Sequence, residues 1–542
     1  MRHPVKAVRS RVTRPATALY AILSLMALLV DPLRGTGARA APADPDSSMV
    51  ELVRALPGTP ISLQHALDAA SATSPAVRAA AAVYDAARGA ARREGGTFDP
   101  VLRFGWEYFD QKLPSASFFA GADVLHTAQG TGEAGLSWQS PIGTSINAAL
   151  GAVKLTTNSG FAFLTPQFTT TGSLSLRQPL LRGFHVSAQK GLAGAELFEA
   201  SAHERYQQEI LTLQGTVEQI YWDLYAGERD YAVQRLTRDR AAAFLHETEL
   251  RAKSGLVGPG QVANAASFLA DQENLLLDRE EALDGIAERL VQALGVRPAQ
   301  GSTRFKTSDR PPDTIAMEDP DRWVRVALAR NRDLQAMQAE IEARRVYSRA
   351  ASWEALPSLD LTGSLGGNGL GGDPRSVVFG SDTLRTLVNG SLGDALRQVV
   401  NRDYPSWRVG LELSIPLGFR KGSGEEDRLD AEVVIAEQRY AQATRLLEEE
   451  VRARCRELLN GQRRLTAARA SVDAAREQVR IVRIEYQNGR ATAFELVRVG
   501  ADFAVAEQRY SQALVRSAKA AASLRQLTSG AFGSADRTPP GL

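Results

Sequence analysis

The chain has 542 residues, with 64 Lys and Arg, 62 Asp and Glu, and a single cysteine, Cys455. The basic excess lies in residues 1–40, which hold seven of the basic residues and one of the acidic ones. The remaining chain has 57 basic and 61 acidic side chains (64 less seven, 62 less one), so it has no nucleic-acid footprint. One cysteine excludes internal disulfides. After residue 40, no stretch has the apolar length of a transmembrane helix.

The chain begins with a pattern typical of a secretory signal peptide. Basic residues precede the apolar run 16–30, and Ala38-Arg39-Ala40 forms a small-residue cleavage site. The run is short for a membrane anchor and is interrupted by Asp31-Pro32. We therefore expect residues 1–40 to be removed on export.

The rest of the chain is internally duplicated, and the duplication predicts its domain organisation. We expect a first repeat at 41–299, a linker at 300–319, a second repeat at 320–530 and a flexible tail at 531–542. The residues with a counterpart 257 positions later are Ala66, Leu67, Ala70, Val77, Pro100, Leu102 and Phe104. Those with a counterpart 234 positions later are Gly255, Val262, Glu273 and Leu290.

Each repeat contains a long helical hairpin, predicted at 186–294 and at 425–527. The first arm of each hairpin is free of proline and carries apolar residues at steps of three and four, which is one helical stripe. Sixty-odd residues at 1.5 Å per residue make a rod of roughly 90–100 Å. Gly255 and Gly489 follow the two rods and predict the turns. A structural coiled coil would explain the helices alone.

Strands before each rod argue against that simpler interpretation. Leu102, Phe104, Trp106 and Tyr108 alternate with polar residues or glycine, and a similar pattern recurs over 407–415. Such segments suit membrane strands with one apolar face. Two strands per half give four per chain, which cannot close a barrel alone, so several copies must share one.

Two further segments, 134–150 and 366–401, lie between the predicted strands. The segment 134–150 resembles an additional hairpin, which would either add two strands or form an outer loop, and the loop is slightly favoured. The glycine-rich segment 366–401 is predicted to be the matching surface loop of the second half. It is not a phosphate loop, because no Gly-Lys-Ser/Thr follows the glycines.

Four short motifs follow one another in a fixed order along the chain. They are Leu63-x-x-Ala66-Leu67 through Ser74-Pro75, Gln178-Pro179-Leu180-Leu181-Arg182-Gly183, Tyr221-Trp222-x-Leu224 and Ser414-Ile415-Pro416-Leu417. Together these landmarks resemble the TolC family of outer-membrane efflux proteins. The resemblance implies an α+β membrane protein: a homotrimer with a shared β-barrel in the outer membrane and a helical barrel extending into the periplasm. It also implies a periplasmic adaptor (membrane fusion) protein and an inner-membrane pump as partners, for efflux or type I secretion. No cofactor or metal is expected.

The same resemblance implies roles for residues at the hairpin tips. Contact with the adaptor would involve Gly255, Leu256, Gly489 and Arg490, and a periplasmic gate would involve Tyr486, Glu495, Gln261 and Arg498. Three Glu495 in a ring would favour cations at the constriction, although Arg498 one turn later could neutralise them. Gln261 stands where an acidic latch residue can occur. The alternative for Glu495 is an ordinary acid at a helix N-terminus, stabilised by the helix dipole.

No enzyme is expected from this sequence. The histidines have no metal-ligand spacing such as H-E-x-x-H, and no G-x-S-x-G nucleophile motif is present. The alternative function from another class is a periplasmic adaptor or structural coiled-coil protein without a pore. An adaptor, however, has one helical hairpin, whereas this chain has two hairpins and two sets of strands. The resemblance implies that specificity for the cargo lies in the partner proteins.

Overall fold

A computed structural model describes residues 51–298, 302–313, 315, 319–488 and 490–533. The proposed signal peptide lies outside the described residues, as does most of the proposed tail. The first repeat contains β1 (Thr59–Ile61), α1 (Leu63–Thr73), α2 (Pro75–Gly95), β2 (Val101–Pro114), β3 (Val124–Gln139), β4 (Ser145–Thr157), β5 (Leu164–Pro179), α3 (Val186–Lys253) and α4 (Pro259–Leu294). After β6 (Phe305–Thr307), the second contains α5 (Pro320–Arg330), α6 (Arg332–Glu354), β7 (Ser358–Pro374), β8 (Val377–Phe379), β9 (Asp382–Leu384), α7 (Leu392–Asn401), β10 (Tyr404–Ser414), α8 (Arg420–Gln487) and α9 (Ala493–Leu527).

Helices α3 and α8 are rods of 68 residues each, about 100 Å long at 1.5 Å per residue. Shorter helices pack against them in two tiers. Near the large sheet the order is α2, α3, α6, α8, and towards the hairpin tips it is α4, α3, α9, α8. Each rod therefore crosses both tiers and holds them together. Among the described helices, the apolar stretches fall short of those that cross a bilayer.

The duplication is visible in two separate apolar cores, each built around the short first helix of its own repeat. In the first, Ala66 and Ala70 of α1 pack with residues of α3 and α4. In the second, Val324 and Ala327 of α5 pack with residues of α8 and α9, including the fully buried Cys455. Burial raises the pKa of the Cys455 thiol to about 11, which keeps it protonated and unreactive.

The predicted linker at 300–319 contains a strand, because β6 pairs in parallel with β1. Tyr221 anchors this pair to the first rod. Its hydroxyl group, fully buried, donates to the carbonyl oxygen of Ile61 at 3.0 Å and accepts the backbone N–H of Asp309 at 3.1 Å. Two turns further along α3, a carboxylate oxygen of Glu228 accepts the backbone N–H of Thr307 at 2.8 Å. Tyr221 of the Tyr-Trp motif thus fixes both β1 and the linker to the middle of the first rod.

One sheet of six antiparallel strands continues the upper tier, in the order β10, β7, β5, β4, β3, β2. Its two faces differ because side chains alternate along each strand. One face is apolar and, apart from the part that α7 covers, open: the side chains of Trp106 and Trp407 are 78% and 74% exposed. The other face is polar, and there Arg177 pairs with Asp360 at 2.7 Å. The large apolar residues on the open face are Leu102, Phe104, Trp106, Tyr108, Leu136, Leu150, Leu174, Leu365, Trp407, Val409, Leu411 and Leu413.

The sheet corrects two expectations. The preference for an outer loop at 134–150 is wrong, because these residues form the end of β3, a tight turn and the start of β4, so the first repeat contributes four strands rather than two. The surface loop predicted at 366–401 is also wrong: β7 continues through the glycines to Pro374, and α7 occupies Leu392–Asn401. The sequence did not predict this part of β7 as a strand, because the residues that face α7 are glycines and no large side chains alternate there.

Helix α7 lies along β7 and β5 on the apolar face, and the glycines of β7 make room for it. A Cβ at Gly369 would lie 2.0 Å from the carbonyl oxygen of Ala395, so any side chain there would displace the helix. Gln398 of α7 also accepts the backbone N–H of Leu370 at 2.9 Å and donates to its carbonyl oxygen at 3.2 Å. Because β10 pairs with β7 only up to Asn368, this side chain takes the place of a missing strand partner.

We expect Gly369→Ala to destabilise the sheet end by about 1–3 kcal/mol, because the added methyl group must push α7 outward. The matched control is Gly363→Ala on the same face of the same strand, where a Cβ meets nothing within 4 Å. The measurement is the thermal unfolding midpoint of the detergent-solubilised protein. Equal midpoints for the two variants would show that α7 is not held against the glycines.

Candidate functional site

The tips of the two helical hairpins are built alike. Rod α3 ends in a left-handed residue, Gly255 with φ +71°, and the N–H of Leu256 donates to the carbonyl oxygen of Arg251 at 2.9 Å. This is a glycine cap of the Schellman type. At the second tip the N–H of Arg490 makes the equivalent bond to Glu485 at 2.8 Å. Gly489 itself lies outside the described residues.

The side chains at the first tip are open to solvent. Leu256 is 75% exposed, a large apolar residue at the extreme end of a helical hairpin. Helix α4 then begins with Pro259 in its first turn, and Gln261 is exposed there. On the second tip Arg490 is exposed as well. The tips therefore present one apolar and one basic group outward, on backbone fixed by the helix caps.

Glu495 begins helix α9 as part of a capping box with Thr492. The backbone N–H of Thr492 donates to Glu495 Oε2 at 2.8 Å, and the N–H of Glu495 donates to Thr492 Oγ1 at 3.2 Å. The structural alternative raised from the sequence, an acid that stabilises a helix N-terminus, thus has a definite geometry. The carboxylate is nevertheless exposed, so one oxygen can serve the cap while the charge faces outward.

Tyr486 connects the end of rod α8 to the end of rod α3. Its hydroxyl group donates to Glu247, and Glu247 forms an ion pair with Arg251 one turn later at 2.7 Å. Arg251 also approaches the Tyr486 hydroxyl oxygen at 3.5 Å. The hydrogen bond to Glu247 raises the pKa of Tyr486, so the phenol stays protonated and remains a donor. Within one copy, the two rods are therefore linked just above the tips.

Of the four residues that the resemblance grouped as a gate, Tyr486 and Glu495 have defined side-chain partners. Tyr486 bonds to Glu247 of α3, before the first tip, and Glu495 bonds to Thr492. Within the part of the chain that the structure describes, the side chains of Gln261 and Arg498 make no hydrogen bond or ion pair, and both are exposed. Glu247 and Arg251 were missed from the sequence. Their distance from Gly255 could have indicated them, because Arg251 precedes its tip glycine by about as many residues as Tyr486 precedes Gly489.

A second contact fixes α9 against α3 above the tips. Arg240 of α3 donates to the carbonyl oxygen of Gly500 at 3.0 Å, and a Cβ at Gly500 would lie 2.8 Å from that guanidinium group. Closer to the tip, the rings of Phe244 and Phe494 lie 6.1 Å apart. Beyond this ring pair, the Tyr486 link is the contact that holds the last turns of the two rods together. The described residues hold no group of three or more His, Cys, Asp or Glu that could bind a metal.

Comparisons with known proteins agree with this architecture. Residues 323–530 match the family described as outer membrane efflux protein. The whole fold is similar to that of the outer-membrane channel OprN, with 17% identity over 87% of this chain and 90% of that chain and a TM-score of 0.60. The outer membrane protein VceC from Vibrio cholerae has 16% identity over 87% and 96% of the two chains and a TM-score of 0.59.

The Campylobacter jejuni CmeC outer membrane channel is similar too, with 13% identity over 88% of this chain and 87% of that chain and a TM-score of 0.58. No curated protein matches the chain significantly. At these identities the solved structures establish the fold, and the prediction of an α+β chain with long helical hairpins is confirmed. The second repeat thus matches the outer membrane efflux protein family, and the chain has the fold of solved outer-membrane channels, which confirms the resemblance noted in the sequence.

Proposed function

We propose that this chain is the outer-membrane channel subunit of a tripartite efflux or type I secretion system, and that it conducts cargo passively from an inner-membrane pump. The observation that carries the proposal is a six-stranded sheet with one open apolar face, continued directly by rods of about 100 Å. The apolar face faces lipid and the polar face lines a water-filled pore. Passive conduction needs no catalytic group, so the chain is not an enzyme.

The sheet requires further copies of the same chain. Among the residues that the structure describes, its outer strands β2 and β10 each have one edge without a strand partner. In lipid every unpaired backbone group costs several kcal/mol. Joining β10 of one copy to β2 of the next satisfies both edges. A homotrimer closes such a ring, with the sheets forming the β-barrel and the rods forming a helical barrel that extends into the periplasm.

The tips at the far end of the rods are the surface for the periplasmic adaptor. Gly255, Leu256 and Arg490 are exposed there, and Gly489 adjoins them in the chain. Leu256 is 75% exposed at the outermost end of the hairpin, where a partner can bury it on docking. Selection of the cargo then belongs to the adaptor and the pump rather than to the conduit.

The gate of the channel is the link between the rods above the tips. Tyr486 holds Glu247, and through it Arg251, so the end of α8 stays against α3 while the link is intact. Opening requires α8 and α9 to move away from α3, which breaks this link first. Glu495 contributes a ring of negative charge in the trimer, while Gln261 and Arg498 lie on the same tips and adjust its field.

The proposal as a whole is tested with protein purified from outer membranes. We expect a trimer that requires detergent and forms pores in planar lipid bilayers, because only a closed ring pairs the strand edges. The alternative, an adaptor or structural coiled coil without a pore, predicts a protein that is soluble without detergent. A soluble monomer without conductance would overturn the proposed function.

Tyr486→Phe removes the hydroxyl group that joins the rods and keeps the ring. A hydrogen bond to a charged group contributes about 1.5–3 kcal/mol, so we expect the open fraction of single channels to rise about tenfold or more. The matched control is Tyr440→Phe on the same rod, where the ring packs in the second apolar core far from the tip. If both variants open as rarely as the unmodified protein, the link is not part of the gate.

Glu495→Gln removes the charge but keeps a side chain that can complete the capping box, so helix α9 should still begin normally. We expect a lower preference for cations over anions, measured as the reversal potential in a salt gradient across a planar bilayer. Glu449→Gln removes the same charge from an exposed position on α8 remote from the tips. A reversal potential that Glu495→Gln leaves unchanged would remove this residue from the constriction.

A further inference from the structure

We propose that the hairpin β3–β4 is part of the pore wall, so that each copy contributes six strands and three copies close a barrel of eighteen. The inference rests on the proposed function and deepens it, because it sets the width of the outer-membrane pore. With two strands from each repeat, three copies would close only twelve.

The hairpin pairs like the wall strands on both of its sides. β3 pairs with β2 from Val124 to Ser137, and β4 pairs with β5 from Ser145 to Leu155, without a bulge in either ladder. β3 and β4 pair with each other from Thr127 to Gln139. β2 and β5 are therefore not neighbours, and the hairpin lies between them in the sheet.

The hairpin also has the two faces that a pore wall needs. Ala148 of β4 lies opposite Leu136 and Leu174, on the apolar face of the sheet. The next residue, Ala149, lies opposite Gly135 and Ser173 on the polar face. An outer loop would have no reason to keep this alternation in register with its neighbours.

The lower turn of the hairpin is fixed to the helical part of the molecule. The backbone N–H of His185, at the start of rod α3, donates to the carbonyl oxygen of Ile142 at 3.3 Å. A Cβ at Gly143 would lie 2.3 Å from the carbonyl oxygen of Gly183, so only glycine allows this approach. On the other side, Trp138 Nε1 donates to the carbonyl oxygen of Phe98 at 3.0 Å, at the junction of α2 and β2.

The width of the sheet agrees with the helices that it continues. The strands β2, β5, β7 and β10 are joined to α2, α3, α6 and α8, and both sets have the same order. Four helices packed 8–10 Å apart span about 32–40 Å. Six strands at about 4.8 Å span about 29 Å before tilt widens them, whereas four would span about 19 Å. The hairpin fills that difference between β2 and β5.

An even number of strands per copy also lets the sheets of neighbouring copies pair in antiparallel orientation. Along the sheet the strands alternate in direction, so β10 of one copy meets β2 of the next antiparallel, as every other pair in the wall. Barrels of 16–18 strands enclose an aqueous channel. The outer-membrane part of this conduit is therefore as wide as a general porin, and the narrowest point lies elsewhere, at the tips.

Two neighbouring cysteine substitutions test the wall. The trimer carrying Ala148→Cys or Ala149→Cys is reconstituted in a planar bilayer and treated with a charged, membrane-impermeant methanethiosulfonate reagent. The native Cys455 is fully buried and should not react. We expect Ala149→Cys to react and to lose conductance, and Ala148→Cys to be protected by lipid. Ser175→Cys on the polar face of β5 is the positive control for access to the pore.

The outcomes separate this inference from the proposed function. Reaction of both alanine variants would place the hairpin in water outside the bilayer, and reaction of neither, while Ser175→Cys reacts, would place it away from the pore. Either result overturns the eighteen-stranded wall and leaves the channel intact. Electron cryo-microscopy of the trimer gives the strand count directly: eighteen is expected, and twelve would overturn the inference. Absence of any trimer or conductance would instead count against the proposed function.

Discussion

The packing of two long rods is the constraint on which the rest of this molecule depends. A helix of 68 residues with one apolar stripe cannot bury that stripe by itself, so it needs partners along its whole length. The duplication supplies them as two tiers of shorter helices. Glycines in the rods show how closely these partners approach: a Cβ at Gly194 would lie 2.5 Å from the Tyr347 ring, and one at Gly461 would lie 2.5 Å from the Ser517 hydroxyl oxygen. A helical glycine costs about 0.5–1 kcal/mol relative to alanine, and close packing is what offsets it here.

Backbone hydrogen bonding organises the sheet end in the same way that packing organises the rods. Beyond the point where β10 begins beside Asn368, the edge of β7 is covered by Gln398, and α7 packs against the glycines of β7. The remaining edges, on β2 and β10, have no strand partner within the described part of one copy. Within one chain, the backbone edge of β7 is therefore hydrogen-bonded, whereas the outer edges of β2 and β10 stay available for pairing. That pattern is what an assembly of identical copies requires, and it is the physical link between this fold and the proposed pore.

The two halves share their frame and differ where function is proposed. Both tips have the same backbone hydrogen bond back to the end of the rod, from Leu256 to Arg251 and from Arg490 to Glu485, yet only the second begins its returning helix with a capping box. The link between the rods is likewise asymmetric, with the phenol from the second repeat and the ion pair from the first. Duplication therefore accounts for the construction of the conduit. Divergence of a few side chains after duplication is sufficient to provide a gate.

The sequence by itself determined the duplication, the helical hairpins, the glycine turns and the strand pattern of Leu102 to Tyr108, because helical stripes and strand alternation are local properties. It also indicated the family, through short motifs in a fixed order. Only the tertiary structure decided that β3 and β4 join the sheet and that α7 packs against the glycines of β7. Both depend on contacts between segments that are distant in sequence. Glu247 as the partner of Tyr486 was hidden for the same reason: the two residues are 239 positions apart and meet only because both rods end at the same level.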